Sequence, residues 1–399
     1  MKIGILTFHR PINYGAFLQA YALSHKLETC FPGIKIEIVD YIPPVERNKI
    51  ILNVVRTLKH YGVSVAVKDI AKIRVFNSAL KYLPLSDTYL CVNRLEQLFE
   101  YIDKEYNVLI IGSDAVFNWN QNGYPTAFIP QYNFKIPVVT YAASVHGLKY
   151  NEVAKDKIRE SGKAFSKMDF IGVRDKNTEK FVKLCDDKLN PVHCCDPTFV
   201  MDFDGLYALP HRSVEQILTR YKVDNKKPYI VVMLEDTKIG YDIYNKFSEQ
   251  YTVISLFKNN KYSDIFLYDL SPIEWALIIK RASLMVTNYF HGTLFALTQK
   301  VPAVVVDMSN YDEPYEGKLK DLMIRRFELS DLYVIHHEWN EKRNKIISNC
   351  EDGLKGKYKK NILEGIAKEQ KSFFDFVSRL KKIIYKNVNI KDEHYGVHC

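Results

Sequence analysis

The stretch Val286-Thr-Asn-Tyr-Phe-His-Gly-Thr-Leu-Phe-Ala-Leu-Thr-Gln-Lys-Val-Pro-Ala-Val-Val-Val-Asp307 contains a strand end, a polar turn, a helix and a second strand. Residues 285–286 close an apolar run, and Gly292-Thr293 opens a helix that Lys300-Val-Pro302 ends. Residues 303–306 are apolar again, which predicts the next strand. A strand, a helix and a strand in succession are typical of a parallel α/β sheet.

His291 stands in the polar turn before this helix. The first N–H groups of a helix attract anions, and a histidine can change its protonation state near neutral pH. The turn therefore suits an anion that must gain or lose a proton. The alternative is a histidine that caps the helix or packs in the core, and the turn alone does not decide between them.

The same alternation of strands and helices extends along most of the chain. The apolar runs predict strands at 2–7, 35–40, 108–112, 138–142, 170–174, 227–234 and 252–257, and helices at 16–27, 95–102, 150–167, 177–184 and 273–281. Repeated units of this kind form doubly covered parallel sheets, whose ligands lie at the carboxyl ends of the strands. The sequence thus predicts an α/β protein with two Rossmann-like domains facing a cleft.

A chain of 399 residues is long enough for two domains of about 150–200 residues. We expect an N-terminal domain over 1–202, with a basic helical excursion at 45–90, and a linker at 203–226. A second domain should follow at 227–350. Basic amphipathic helices at 351–399 should cross back over the join.

The composition, with 47% hydrophobic and 26% charged residues, is that of a soluble globular protein. No run approaches the roughly 18 apolar residues of a membrane span, and the first ten residues hold too short an apolar run for a signal peptide. The seven cysteines form no CxxC pair and no zinc spacing. These features predict a cytoplasmic protein without a metal site.

The net charge of +9 is concentrated in two stretches. Residues 45–82 hold eight Lys or Arg against two acids, and residues 351–399 hold eleven against seven. The remainder is close to neutral, which excludes the usual basic groove for nucleic acid. Both stretches are predicted to be amphipathic helices. Their apolar residues include Ile50, Ile51, Val54, Val55 and Leu58 in the first, and Phe373, Phe374, Val377, Leu380 and Ile384 in the second. These faces are either ordinary solvated helices or contacts for an anionic membrane or a lipid-linked substrate.

Three other strand ends carry polar residues. The turn at 8–16 lacks both GxGxxG and the P-loop pattern, so it supports neither a dinucleotide nor an ATP site. Asp114 is placed to accept hydrogen bonds from sugar hydroxyls, or else to cap a helix. Arg174 could clamp a carboxylate or phosphate, or else pair with Asp175 or Glu179.

Four groups of segments together resemble the polysaccharide pyruvyl transferases. They are 3–9 with 13–23, 112–118 with 141–144, 173–176 with 196–198, and 271–307 with its Phe290-His-Gly292. The resemblance implies a glycosyltransferase-B type fold. It also implies transfer of pyruvate from phosphoenolpyruvate onto two hydroxyls of a surface-polysaccharide sugar, forming a cyclic ketal and releasing phosphate. Phosphoenolpyruvate would be a co-substrate, with no other cofactor, and the acceptor a saccharide or lipid-linked oligosaccharide.

The resemblance also implies roles for individual residues. His291 would contact the donor phosphate or transfer a proton, Arg174 would hold the donor's anionic groups, and Asp114 would hold or deprotonate the acceptor. The predicted donor-binding residues are Asn288, Gly292, Thr293 and Lys258. The predicted acceptor-binding residues are Asn13, Tyr14, Gly15 and Ser113, which assigns the acceptor to the first domain.

One position departs from the family pattern. Several members carry an arginine two residues before the motif histidine, where this chain has Tyr289. Lys258, which follows a predicted strand, is the proposed replacement for that cation. Two other functions fit the same architecture: a nucleotide-sugar glycosyltransferase, and a non-catalytic scaffold of polysaccharide biosynthesis.

Overall fold

The computed structural model describes residues 1–44, 46–47, 52, 56, 58–60, 63–119, 123–224, 226–309 and 315–388. The chain forms two compact units. The first comprises Met1–Gly62, Leu80–Met201 and Glu369–Cys399, and the second comprises Val63–Ala79 and Asp202–Lys368. Each unit contains one parallel sheet, which confirms the predicted pair of α/β domains.

The sheet of the first unit has the strand order β2-β1-β3-β4-β5-β6. Its strands are β1 (Lys2–Leu6), β2 (Lys35–Ile38), β3 (Val108–Ile111), β4 (Val138–Ala143), β5 (Phe170–Val173) and β6 (Val192–His193). The sheet of the second unit has the order β12-β11-β10-β7-β8-β9. Its strands are β7 (Tyr229–Met233), β8 (Thr252–Leu256), β9 (Ile265–Leu267), β10 (Leu284–Thr287), β11 (Ala303–Asp307) and β12 (Tyr333–Ile335).

The helices cover both faces of the sheets. In chain order they are α1 (Tyr14–Cys30), α2 (Val63–Ala79), α3 (Leu95–Glu105), α4 (Lys155–Phe165), α5 (Lys176–Cys185), α6 (Phe203–Ala208), α7 (Val214–Arg220), α8 (Thr237–Phe247), α9 (Pro272–Lys280), α10 (Phe290–Thr298), α11 (Lys318–Lys320), α12 (Trp339–Leu354) and α13 (Lys359–Val388). A π-helical turn spans Asp321–Arg326, and 3-10 turns span Leu80–Tyr82, Tyr150–Glu152, Pro197–Val200, Ser330–Leu332 and His336–Glu338.

The topology of each sheet indicates where a ligand would bind. In the first sheet β1 lies between β2 and β3, and in the second β7 lies between β8 and β10. The connections on the two sides of such a strand leave in opposite directions, which opens a crevice at the carboxyl ends. We therefore call the carboxyl ends of β1–β6 the first edge, and those of β7–β12 the second edge.

The domain division differs from the predicted boundaries in two places. Residues 203–226, predicted as a linker, contain helices α6 and α7 within the second unit. Both begin at side-chain caps: Asp202 accepts from Gly205 N, and Ser213 forms a capping box with Gln216. Helix α2, from the basic excursion, also belongs to the second unit.

The two amphipathic stretches differ in what covers their apolar faces. Helix α13 contains residues of both units, since 359–368 belong to the second and 369–388 to the first, and Phe373 and Phe376 pack on the ring of Tyr141. Phe373, Val377, Leu380 and Ile384 of this face are buried, whereas Phe374 is 37% exposed. On the first stretch Leu58 is exposed, whereas Lys49, Ile50, Ile51, Val54 and Val55 lie outside the described residues. Within the described parts of the chain, no helix has the length and hydropathy needed to cross a membrane.

Candidate functional site

The loop after β3 positions Asp114 at the first edge. Gly112 has a φ of +117°, and a Cβ at this position would lie 2.2 Å from the carbonyl oxygen of Tyr141, so only glycine fits. Asp114 itself has a φ of +85° and forms a β-bridge with Ala143. It is not at a helix start, so the alternative of a helix cap is not realised.

Arg174 lies in the middle of the first edge and is 1% exposed. Its Nη1 donates to Asp196 Oδ2 at 2.9 Å, and its Nη2 donates to Asp114 Oδ1 at 3.3 Å. Burial acts to lower the pKa of Arg174, but the neighbouring carboxylates outweigh it and raise that pKa. The guanidinium is therefore a fixed cation that links two loops of the first edge.

A third carboxylate completes this cluster. Asp175 accepts from Ser144 Oγ at 2.6 Å and from the N–H of Thr178 at 2.9 Å, which caps α5. Three carboxylates thus surround one buried guanidinium. This arrangement differs from the predicted clamp on the donor, because Arg174 already has carboxylate partners and its surroundings are anionic.

The predicted acceptor-binding residues take mainly structural positions. Asn13 caps α1, with its Oδ1 accepting from Gly15 N at 3.0 Å and Ala16 N at 3.3 Å, and Tyr14 is buried within the helix. Ser113 is 1% exposed, and its Oγ has no hydrogen-bond partner among the described residues. Of the four, Ser113 is the one with an unused polar atom beside Asp114.

The structure also reveals a cluster at the first edge that the sequence did not single out. His9 is buried, with Nδ1 at 3.2 Å from the carbonyl oxygen of Thr7 and Nε2 at 2.9 Å from Asp40 Oδ1. Arg10 binds the same carboxylate through two nitrogens. Burial would raise the pKa of Asp40, but hydrogen bonds from His9 and Arg10 hold it below its usual value. The sequence could have indicated this cluster, because His9 and Arg10 lie within four residues of the carboxyl end of β1.

At the second edge, α10 begins without a side-chain cap. Tyr289 is the N-cap residue, and the first turn closes with a hydrogen bond from Thr293 N to Tyr289 O at 3.0 Å. The N–H groups before Thr293 precede this bond and are the donors that a helix start offers to an anion. His291 is the second residue of α10, because the helix begins at Phe290 and not at Gly292 as predicted.

Gly292 and Thr293 face the interior rather than this opening. A Cβ on Gly292 would lie 2.8 Å from Met285 Cε and 2.9 Å from Thr287 Oγ1, so the glycine lets α10 approach the sheet. Thr293 is fully buried, and its hydroxyl donates to the carbonyl of Tyr289. Asn288 differs from both, because its buried Oδ1 has no hydrogen-bond partner among the described residues.

Tyr289 and Lys258 meet at one carboxylate. The hydroxyl of Tyr289 donates to Glu235 Oε1 at 2.7 Å, and Lys258 Nζ lies 3.6 Å from the same oxygen. The Tyr289 bond, with help from Lys258, holds the pKa of Glu235 below its usual value. The structure thus brings Lys258 beside Tyr289, but as a partly exposed partner of Glu235.

Two further lysines lie at the second edge, and each contacts an aromatic ring there. Lys72 on α2 lies 4.7 Å from the ring centroid of Phe257, and Lys318 on α11 lies 4.6 Å from that of Phe290. Neither was predicted. Among the residues that the structure describes, no group of three or more His, Cys, Asp or Glu could hold a metal ion. The cations described at this edge are Lys72, Lys258 and Lys318.

Comparisons with known proteins complete this description. A family model described as polysaccharide pyruvyl transferase matches residues 13–310, most of the chain. No curated protein matches the sequence.

Solved structures show the fold. A putative UDP-N-acetylglucosamine 2-epimerase from Listeria monocytogenes is 11% identical, with a TM-score of 0.52, over 100% of this chain and 99% of its own. A UDP-GlcNAc 2-epimerase from Neisseria meningitidis, bound to UDP-GlcNAc, is 8% identical, with a TM-score of 0.52, over 96% of this chain and 100% of its own. At such low identity the likeness shows the fold alone, and it agrees with the predicted glycosyltransferase-B-like class.

Proposed function

Since the chain belongs to the polysaccharide pyruvyl transferase family, we propose that it transfers pyruvate from phosphoenolpyruvate to two hydroxyls of a surface-polysaccharide sugar. The product is a cyclic ketal, and inorganic phosphate is released. The observation that carries this proposal is the second edge, where His291 follows an uncapped helix start. Lys72, Lys258 and Lys318 lie at the same edge.

The reaction needs a proton donor and a site for two anionic groups. A general acid protonates C3 of the enol, which makes C2 electrophilic, and one sugar hydroxyl adds to C2. The bond from C2 to the phosphate oxygen then breaks, and the second hydroxyl adds to C2 with loss of its proton. Positive charge and oriented N–H groups stabilise the leaving phosphate. We assign the proton transfer to His291, and donor contacts to Asn288 and the N–H groups at the start of α10.

The acceptor is assigned to the first edge. A carboxylate there can accept hydrogen bonds from sugar hydroxyls or take up a proton from one of them. We assign this role to Asp114, with the hydroxyl of Ser113 beside it. Arg174 is assigned a positioning role rather than a donor contact, because its two nitrogens hold the carboxylates of Asp114 and Asp196.

The proposal is tested by incubating the full chain with phosphoenolpyruvate and a panel of galactoside, glucoside and N-acetylmannosamine acceptors. We expect phosphate release together with a saccharide product heavier by one pyruvate ketal. The same panel is run with UDP-sugars in place of phosphoenolpyruvate. Activity with UDP-sugars alone would contradict the proposal and favour a glycosyltransferase.

We further propose that the protein works in the cytoplasm and meets a lipid-linked acceptor at an anionic membrane surface. The outer face of α2 supports this contact, because Val63, Val67 and Ile70 are spaced one helical turn apart and are 67%, 57% and 39% exposed. Residues 45–82 around them carry eight basic residues and two acids, a balance complementary to anionic lipid.

A vesicle assay tests the membrane contact. We expect the protein to sediment with vesicles containing phosphatidylglycerol, and less so as added salt screens the charges over about 10 Å at 0.1 M. The double substitution Val63→Asp with Val67→Asp should abolish sedimentation. Leu184→Asp, at an exposed leucine of α5, is the control and should have no effect. Equal sedimentation of both variants, or none by the wild type at low salt, would contradict the contact.

A further inference from the structure

Helix α2 brings a lysine from the first part of the chain to the second edge. Lys72 Nζ lies 4.7 Å from the ring centroid of Phe257, the residue that directly follows β8. One turn earlier, Lys68 Nζ lies 5.0 Å from the ring of Tyr268. The two lysines thus share the face of α2 that packs on the second unit, while Val63 and Val67 lie on the exposed face.

Aromatic contacts connect Lys72 to the motif. The ring of Phe257 meets the ring of Tyr289 edge-on, with centroids 4.9 Å apart. Phe257 has a φ of +66°, so the chain turns sharply after β8 and holds this ring between Lys72 and Tyr289. Tyr289 is the residue that stands in place of the arginine found in several family members.

The surroundings of Lys72 disfavour its positive charge. The side chain is half-buried, and burial, with help from the nearby Lys258, lowers the pKa of Lys72 to about 8 even though Asp69 opposes the shift. Burial and a second cation nearby therefore act together against the charged form of Lys72. A dianionic ligand that contacts both Lys72 and Lys258 would instead stabilise the charged form of Lys72.

From this geometry we infer that Lys72 binds the phosphate group of the donor at the second edge and supplies the cation that Tyr289 lacks. Lys258 is the flanking charge. The inference rests on the proposed function for the identity of the donor, phosphoenolpyruvate. The shared chemistry is a phosphate-bearing small molecule, and the start of α10 with His291 would hold its second anionic group.

The test is calorimetric titration of the full chain with inorganic phosphate, phosphoenolpyruvate and UDP, which requires no acceptor sugar. We expect Lys72→Gln to weaken binding of phosphate and phosphoenolpyruvate about tenfold or more, the usual effect of losing a charge-assisted hydrogen bond. Lys68→Gln is the matched control, with the same charge change on the same helix face, and should bind like the wild type. Lys72→Arg should retain most of the binding.

A pH series provides a second measurement that needs no variant. The ligand in this series is phosphoenolpyruvate, a phosphate monoester whose second pKa is about 6 and whose phosphate is dianionic above pH 7, so a change in affinity reports the protein. Because the free protein loses the Lys72 proton near pH 8, wild-type affinity should fall between pH 7 and pH 9.5, whereas Lys72→Gln should show a flatter profile. Melting curves check that the variants are folded.

The outcomes separate this inference from the proposed function. Equal binding by Lys72→Gln and Lys68→Gln, or a flat wild-type pH profile, would overturn the role of Lys72 even if ketal formation is observed. Lys72-dependent binding of phosphate without any ketal formation would support the phosphate site and contradict the proposed function. Lys72-dependent binding of UDP but not of phosphoenolpyruvate would overturn the assignment of the donor.

Discussion

The cations at the first and second edges differ in their burial and in the side chains that surround them. At the first edge Arg174 is buried between Asp114 and Asp196, and it is surrounded by more negative charge than it carries. At the second edge Lys72 lies on Phe257 and Lys258 is partly exposed beside Glu235. Arg174 is held by two buried carboxylates, whereas Lys72 lies on an aromatic ring and Lys258 lies beside one partly exposed carboxylate.

This difference suggests a structural role for Arg174 and a ligand-binding role for Lys72. A buried guanidinium with two carboxylate partners stabilises the loops that it joins, because removing it would leave those charges uncompensated. A lysine whose positive charge is disfavoured by burial is suited to an anionic ligand that stabilises the charge. This difference supports the proposal that the donor binds at the second edge.

The largest expected effect is on catalysis at the second edge. His291→Ala should lower the rate of ketal formation by about 10²–10⁴-fold, the usual loss when an acid–base group is removed. Initial rates with saturating phosphoenolpyruvate and acceptor measure this change. His337→Ala, at an exposed histidine of the same unit, is the control. If His291→Ala keeps full activity, the proton is transferred by another group and the role assigned to His291 is wrong.

The next effect is on stability at the first edge. Arg174→Met should lower the free energy of unfolding by about 3–5 kcal/mol, because the carboxylates of Asp114 and Asp196 would remain buried without their cation. Urea denaturation measures the change. The control is Arg281→Met, which removes the half-exposed partner of Glu215 and should cost less than about 1 kcal/mol. A fully stable Arg174→Met that binds the donor poorly would show that Arg174 is a donor contact after all.

The smallest expected effect is that of a chelator on the rate of ketal formation. If lysines and the start of α10 neutralise the donor, a chelator such as EDTA should leave the rate of ketal formation unchanged. Rates before and after chelation, with readdition of Mg²⁺ as the control, measure this. A loss on chelation that Mg²⁺ restores would mean that the second edge is incomplete without a metal.

The longer strands could be predicted from the sequence because each strand is marked by its own run of apolar residues. Runs such as 108–112 and 252–257 are mainly apolar, as is typical of strands covered on both faces, and both are present as β3 and β8. The strands that were missed are β6, β9 and β12, which have two or three residues each and too few positions for a pattern.

The candidate site was predicted less completely because its partners are distant in sequence. Arg174 meets Asp196 and Asp114 across 22 and 60 residues, so spacing alone pointed only to neighbours such as Asp175. Lys72 was counted as part of a basic, solvated helix. The four-residue spacing of Lys68, Lys72 and the buried Phe76 indicates a shared inward face, but not the sheet on which that face packs.

The most direct test is a crystal structure of the full chain with phosphoenolpyruvate bound. We expect the phosphate within hydrogen-bond distance of Lys72 Nζ, beside the start of α10, and Arg174 still paired with Asp114 and Asp196. A phosphate held by Arg174, with those pairs broken and Lys72 uninvolved, would contradict the division of roles between the two edges.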